Sequence, residues 1–322
     1  MPEFDLIETI RARAGAQRQD VVLGIGDDAA LLEPAPSMQL VACTDTLNAD
    51  VHFPRGTAPE AIGWKALAVN LSDLAAMGAA PAWALLALSL PQADSAFVDA
   101  LAAGLARLAA QHGVALVGGD TTRGPLGLTV TALGHVPPGQ ALTRSGARTG
   151  DLVLVTGTLG DAAAALVLLQ AGTQALPATD AHRQLRRRLD YPQPRVAAGI
   201  ALRGLASACI DLSDGLLADL GHVCTRSGVG AEIDLEALPL SAALQAALPS
   251  ADARQLALAG GDDYELCCSV PPVRLDAALA ALHAAGCAGH VIGRITADAG
   301  VRVLDAQGNP VTPARRGYEH FA

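Results

Sequence analysis

Apolar residues along the chain fall into two alternating rhythms, and the switches between them predict the elements. Phe4, Ile7 and Ile10 recur at helical spacing and predict a short opening helix, followed by an apolar run from Val21 to Ile25 that ends in the turn Gly26-Asp27-Asp28. A strand over Gln39 to Cys43 runs into Thr44-Asp45-Thr46. Thr57-Ala58-Pro59-Glu60 then reads as a capping box that opens a long helix to about Met77, with Lys65, Asn70, Ser72 and Asp73 on it. Further along come a buried strand over Trp83 to Leu90, an amphipathic helix over Ser95 to Gln111, a strand over Val114 to Val117 leading into the turn Gly118 to Arg123, and a strand over Leu128 to His135. Pro, Gly and Arg dominate Pro137 to Asp151, which predicts a boundary between domains 1–148 and 149–322.

The pattern then restarts. A strand over Leu152 to Val155 turns through Gly157 to Gly160 into an Ala-rich helix near Asp161, and Arg186-Arg187-Arg188 with Tyr191-Pro192-Gln193-Pro194 reads as a solvated connector. A strand ends at Asp211, a helix starts at Ser213 or Asp214, and a strand lies near Ala231 to Leu235. Next come a helix ending at Gly260-Gly261, a strand over Glu265 to Val270, a helix to Ala285, and closing strands around Val291 and Val301. Strict βαβ alternation is absent, so the fold class is α+β in two domains.

Composition narrows the chemistry. The 322 residues are 51% hydrophobic but only 3% aromatic, so alanine and aliphatic side chains fill the cores. A net charge of −10 argues against nucleic acid or an anionic membrane as partner. The acidic start Met1 to Asp5 carries no export signal, and the uncharged stretch Leu74 to Ala93 is broken by Gly78, Pro81 and Pro91, so a cytoplasmic location is expected. Six cysteines without a C-x-x-C pair are expected as reduced thiols.

The charges themselves are skewed, with 24 Asp against 8 Glu and a single lysine, Lys65, against 21 Arg. Coding bias accounts for the missing lysines but not for the choice of Asp. Asp27, Asp28, Asp45, Asp73, Asp120, Asp211, Asp214, Asp262 and Asp263 cluster at element ends beside Gly, Ser or Thr. Taken singly, each suits a turn or a helix cap. Converging loops of this kind form a ring of like charge that stays apart in water or is drawn together by cations, and Mg²⁺ with phosphate oxygens is the natural complement. No P-loop is present, because Lys65 stands between Trp64 and Ala66. Val155 to Gly160 lacks Rossmann spacing and is at most a helix N-terminus near a phosphate. Metal-assisted phosphoryl transfer fits this inventory, with Arg123 and Arg144 as candidate phosphate clamps. Phe53, Trp64, Tyr264 and Tyr318 lie beside the polar motifs and are expected to serve the core more than a ligand.

The motifs Gly24-Ile25-Gly26-Asp27-Asp28-Ala29, Thr44-Asp45-Thr46-Leu47, His52-Phe53, Lys65 through Gly78, Gly118-Gly119-Asp120-Thr121-Thr122, Asp211-Leu212-Ser213-Asp214-Gly215-Leu216 and Gly261-Asp262-Asp263-Tyr264-Glu265-Leu266 resemble, in order and over nearly the whole chain, those of the thiamine-monophosphate kinase family. That family is related to aminoimidazole ribonucleotide synthetase. The resemblance implies an N-terminal ATP- and Mg-binding domain whose sheet pairs in a homodimer, and a sandwich-like α+β C-terminal domain that completes the nucleotide and substrate cleft. It implies ATP and thiamine monophosphate as substrates and several Mg²⁺ ions. The implied metal ligands are Asp28, Thr44, Asp45, Asp73, Asp120, Asp211 and Asp214; Gly119, Asp120, Arg144 and Ser213 would contact ATP, and His52, Asp262 and Tyr318 the thiamine phosphate. Two positions depart from the family pattern. Cys43 replaces a common serine, which favours a backbone metal contact there, and Asp262 replaces a common glutamate, one methylene longer. The acceptor is already an anion, so no catalytic base is required and direct in-line transfer is expected. Two other readings remain open on sequence alone: an enzyme of the same superfamily with another acceptor, or a non-catalytic protein that binds Mg-nucleotide.

Overall fold

The computed structural model describes residues 3–15, 18–171 and 179–319; Met1 and Pro2 of the N-terminal segment weighed for an export signal lie outside them. The chain forms two compact units, Met1–Leu74 with Ala79–Gly139, and Ala75–Gly78 with Gln140–Ala322.

The first unit runs α1 (Glu3–Ala14), β1 (Val21–Leu23), β2 (Leu31–Leu32), β3 (Gln39–Asn48), α2 (Pro59–Ala76), β4 (Ala80–Leu90), α3 (Ser95–His112), β5 (Ala115–Arg123) and β6 (Gly127–Val136). Four of these strands form a sheet in the order β3-β6-β4-β5, antiparallel except for β4 and β5, which α3 joins as a parallel crossover. Helix α2 opens with Pro59 at its first position, as the sequence predicts, and every residue from Ala61 to Ser72 is buried. It can be that apolar because helix and sheet cover it on all sides. Helix α3 begins on Asp94, whose carboxylate accepts from the Phe97 N–H at 3.0 Å, and ends on Gly113 in the left-handed region.

The two helices approach closely at Gly104, where an added Cβ would run into the Glu60 carbonyl. A Gly104→Val variant is therefore expected to lose about 3 kcal/mol or more, since backbone cannot give way as a side chain does. Urea-induced unfolding measures it, and an unchanged midpoint would mean the helices can separate.

The second unit contains β7 (Leu152–Thr156), α4 (Asp161–Gln170), α5 (Asp180–Asp190), α6 (Val196–Ala201), β8 (Ala208–Asp211), α7 (Leu216–Ser227), β9 (Gly230–Asp234), α8 (Ala242–Ala247), α9 (Ser250–Ala259), β10 (Leu266–Val270), α10 (Leu275–Ala284), β11 (Gly289–Thr296), β12 (Gly300–Leu304) and β13 (Pro310–Val311). Its seven-stranded sheet has the order β13-β12-β9-β11-β7-β10-β8, and only β9 and β12 are parallel. Val153, Val155, Ile210, Leu220, Ile233 and Ile292 form its main core. All six cysteines are free thiols, and every one but Cys43 is buried. No helix among the described residues is long and apolar enough to cross a membrane.

Three local expectations are corrected. Gly118 to Arg123 continues β5 rather than turning, because β4 supplies a parallel ladder through Arg123. The helix after Asp211 begins at Leu216, with Gly215 as its cap residue. Arg186, Arg187 and Arg188 are not a connector but lie on α5, and at 3.6 residues per turn they point in different directions: Arg187 is exposed while Arg188 reaches a buried carboxylate.

Candidate functional site

In the first unit the strand β3 carries Thr44 and Asp45 on opposite faces. Cys43 and Asp45 share the face packed on α2, where the Cys43 thiol donates to the Asn70 carbonyl at 3.3 Å. Burial pushes the Cys43 thiol far up, and the carboxylates of Asp73 and Asp45 add to it, so those two predicted ligands are brought to one place. Asp45 is itself pushed up by burial. Thr44 faces the other way, its hydroxyl 3.0 Å from Thr131 Oγ1 and donating to the Val130 carbonyl at 3.1 Å.

Asp120 is not gathered with this pair. Register places it in a row with Ala87, Thr129 and Thr46, whereas Asp45 lies in the adjacent row with Val130, Leu86 and Gly119. Cross-strand neighbours share a face, so Asp45 and Asp120 point to opposite sides from the two edge strands, about 14 Å apart at three strand spacings. Asp28 is exposed in the loop after β1, where its N–H donates to Asp27 Oδ1.

His52 follows β3 in a turn whose main chain returns to Asn48, and its Nδ1 accepts from the Asn48 N–H at 2.9 Å. Lys65, only 2% exposed, donates from Nζ to the His52 carbonyl at 2.9 Å. The one lysine of the chain thus supports the turn that carries His52, a role with no signal in sequence beyond its rarity.

In the second unit, Asp211 ends β8 and Ser213 and Asp214 follow it. The Asp262 N–H donates to the Ser213 carbonyl (2.9 Å), Tyr264 N–H to Leu212 (2.8 Å) and Tyr318 N–H to Asp214 (3.0 Å). Three chain segments far apart in sequence are thereby sewn together. Gly261 permits the approach, since a Cβ there would sit 2.5 Å from the Ser213 carbonyl oxygen. Tyr318 is half exposed, while Phe53, Trp64 and Tyr264 are buried as expected of core aromatics.

Asp219, which the sequence did not single out, turns back from α7 to accept from the N–H groups of Ser213, Asp214 and Gly215, each at 3.1 Å. Burial, and then the carboxylates of Asp211 and Asp214, push it up to about 7 against those bonds. Its placement four residues after Gly215, in the first turn of α7, was the available signal.

Arg144 is exposed on a loop whose Gly146 and Ala147 N–H groups both donate to Ser227 Oγ at 3.2 Å. Arg123 is exposed at the end of β5. The N-terminus of α4 is not available to a phosphate in the way its glycines suggested, because the Gly160 N–H donates to both oxygens of buried Asp263 at 2.9 and 3.0 Å. Behind it lies fully buried Glu265, which accepts from Arg195, Arg188 and Thr156. Among the described residues, no three His, Cys, Asp or Glu side chains stand together as a group able to hold one metal ion.

Two family models match the chain: the AIR synthase related protein N-terminal domain over residues 26–136, and its C-terminal domain over residues 148–306. Thiamine-monophosphate kinases of Escherichia coli and Salmonella typhimurium are 48% and 47% identical to it, over 99% of this chain and 98% of each relative. The crystal structure of thiamine-monophosphate kinase from Stenotrophomonas maltophilia is 52% identical, with a TM-score of 0.89 over 97% of this chain and 98% of that one. AaThiL complexed with AMPPCP and TMP is 35% identical, with a TM-score of 0.78 over 99% of this chain and 97% of that one.

Proposed function

This chain belongs to the thiamine-monophosphate kinase family, and from that premise we propose how its residues carry out the ATP-dependent phosphorylation of thiamine monophosphate. The observation that carries the reading is the main-chain stitching in the second unit, which gathers Ser213, Asp214, Asp262 and Tyr318 from three distant segments. An arrangement serving only the fold would not need four polar, partly exposed positions at one point.

Ser213, Gly119, Asp120 and Arg144 contact ATP, with Arg144 presenting a planar guanidinium to phosphate oxygens from a loop pinned on Ser227. His52, Asp262 and Tyr318 contact thiamine monophosphate. With Nδ1 accepting from Asn48, neutral His52 carries its proton on Nε2, the atom suited to donate to a phosphate oxygen. Tyr318 and the carboxylate of Asp262 suit the cationic, aromatic thiamine portion.

The donor set fits Mg²⁺: oxygen ligands only, with Asp45 and Asp73 beside one thiol, and with Asp211 and Asp214 beside Asp219 as like charges that a divalent cation relieves. Asp28, Thr44, Asp45, Asp73, Asp120, Asp211 and Asp214 would share several such ions between them. The opposed faces of Asp45 and Asp120 favour more than one ion. Bound magnesium supplies neutralisation of the charge on the transferring phosphoryl group.

An oxygen of the acceptor phosphate attacks the γ-phosphorus of ATP in line, the new O–P bond forming as the bond to the departing ADP breaks. No phosphoenzyme forms, and no side chain need take a proton from the acceptor. Strand β3 is an exposed sheet edge, with Leu40 half exposed, and is suited to pair with a second copy in a homodimer. Free thiols and the use of ATP accord with a cytoplasmic location.

The test is the purified protein with Mg·ATP and a panel of phosphorylated acceptors, products resolved by chromatography. Thiamine diphosphate is expected from thiamine monophosphate alone, with turnover lost in EDTA and restored by added Mg²⁺. Phosphorylation of a different acceptor instead, or ³²P retained on the protein after ATP alone, would contradict the reading.

A further inference from the structure

Asp262 carries a short carboxylate, and its neighbour two residues on shows how that carboxylate is held. The Tyr264 hydroxyl donates to Asp262 Oδ1 at 2.8 Å. Both residues adopt left-handed backbone, Asp262 at φ +69° and Tyr264 at φ +52°. That region is uncommon for residues other than glycine, and persists only where the surroundings fix it. Here they do. Asp263 between them is buried and clamped by the Gly160 N–H, while the main-chain N–H groups of Asp262 and Tyr264 are bound to Ser213 and Leu212.

The reversal has a geometric consequence. In an extended segment, side chains at i and i+2 point the same way but stand about 7 Å apart; two left-handed residues curl the segment so that the tyrosine hydroxyl reaches back to the carboxylate. Tyr264 is 7% exposed, so its ring is fixed by packing and its hydroxyl is a stationary donor. An aspartate on a loop otherwise samples several rotamers, and each bound ligand must select one.

We propose that Tyr264 is a positioning residue for the acceptor substrate, holding the Asp262 carboxylate in the orientation that receives thiamine monophosphate. The inference rests on the assignment of Asp262 to the substrate site. It makes Tyr264 act on recognition of thiamine monophosphate and not on ATP.

Steady-state kinetics on the full chain test it with Tyr264→Phe, Asp262→Ala and the double variant. Tyr264→Phe keeps the ring and the packing, and is expected to raise KM for thiamine monophosphate about tenfold, with KM for ATP and the melting temperature unchanged. Asp262→Ala is expected to raise the same KM further. In the double variant the loss of the hydroxyl should have no additional effect, because a group that works only through Asp262 has nothing left to position. Multiplying effects in the double variant, or wild-type kinetics in Tyr264→Phe, would overturn the proposal while leaving Asp262 at the site. Wild-type KM in Asp262→Ala would overturn both assignments, and leave the identity of the product, measured separately, standing.

Discussion

Asp45→Asn and Asp211→Asn are each expected to lower kcat by roughly 10³-fold or more, the several kcal/mol that charge neutralisation by a bound metal supplies to phosphoryl transfer. The expected fate of the fold makes this informative. Asp45 is pushed up by burial, and Asp211 is 4% exposed beside the carboxylates of Asp214 and Asp219. Both pay a desolvation or repulsion cost when charged, so a neutral amide of the same shape should leave the melting temperature equal or raise it. Loss of activity with retained or increased thermal stability is thus the signature of a ligand, whereas loss of both would mark a structural aspartate. Full activity in either variant would remove that residue from the metal set.

Glu265→Ala is expected to be the most destabilising single change. Glu265 is fully buried and accepts from Arg195 Nε and Nη2 at 2.6 and 2.5 Å, from Arg188 Nη2 at 2.7 Å and from Thr156 Oγ1 at 2.7 Å. Removing the carboxylate strands two guanidinium groups, at a cost of about 3–5 kcal/mol. In a unit of this size that lowers the melting temperature by about 10 °C, measured by calorimetry. Burial opposes the charge, but Arg195 and Arg188 outweigh it and hold the Glu265 carboxyl below its ordinary value of 4.5. Its contribution is therefore complete above pH 4.5 and is lost as pH falls through the lower, folded value. A Glu265→Gln variant should show a flatter acid limb. An unchanged melting temperature in Glu265→Ala would mean the arginines find other partners.

The Arg188–Glu265 pair also shows how the sequence misleads. Three consecutive arginines have the composition of a solvated surface, and nothing local to them indicates a carboxylate 77 positions away. Asp219 was overlooked for the opposite reason. A lone aspartate in a helix reads as surface, and its capping of three N–H groups depends on the loop before it folding back. By contrast, the helix α2 with its Pro59 start and the strand over Trp83 to Leu90 were legible, because periodicity and proline act over a few residues, whereas Asp45 and Asp120, expected at strand ends, lie inside β3 and β5 because neighbouring strands extend the ladder past them.

What the sequence determined by itself was the inventory: alternating helical and strand periods in two halves, an excess of aspartates beside small residues, and a motif series pointing to phosphoryl transfer. Tertiary structure alone decided which members of that inventory meet. It put Asp45 and Asp73 near Cys43 but turned Asp120 to the other face, joined Asp262 to Ser213 and Tyr318 to Asp214 through main-chain bonds, and set the only lysine under the His52 turn. The physical reason is range. Propensity and periodicity act over a turn or a strand, whereas strand register, buried ion pairing and long-range hydrogen bonds depend on which distant segments pack together.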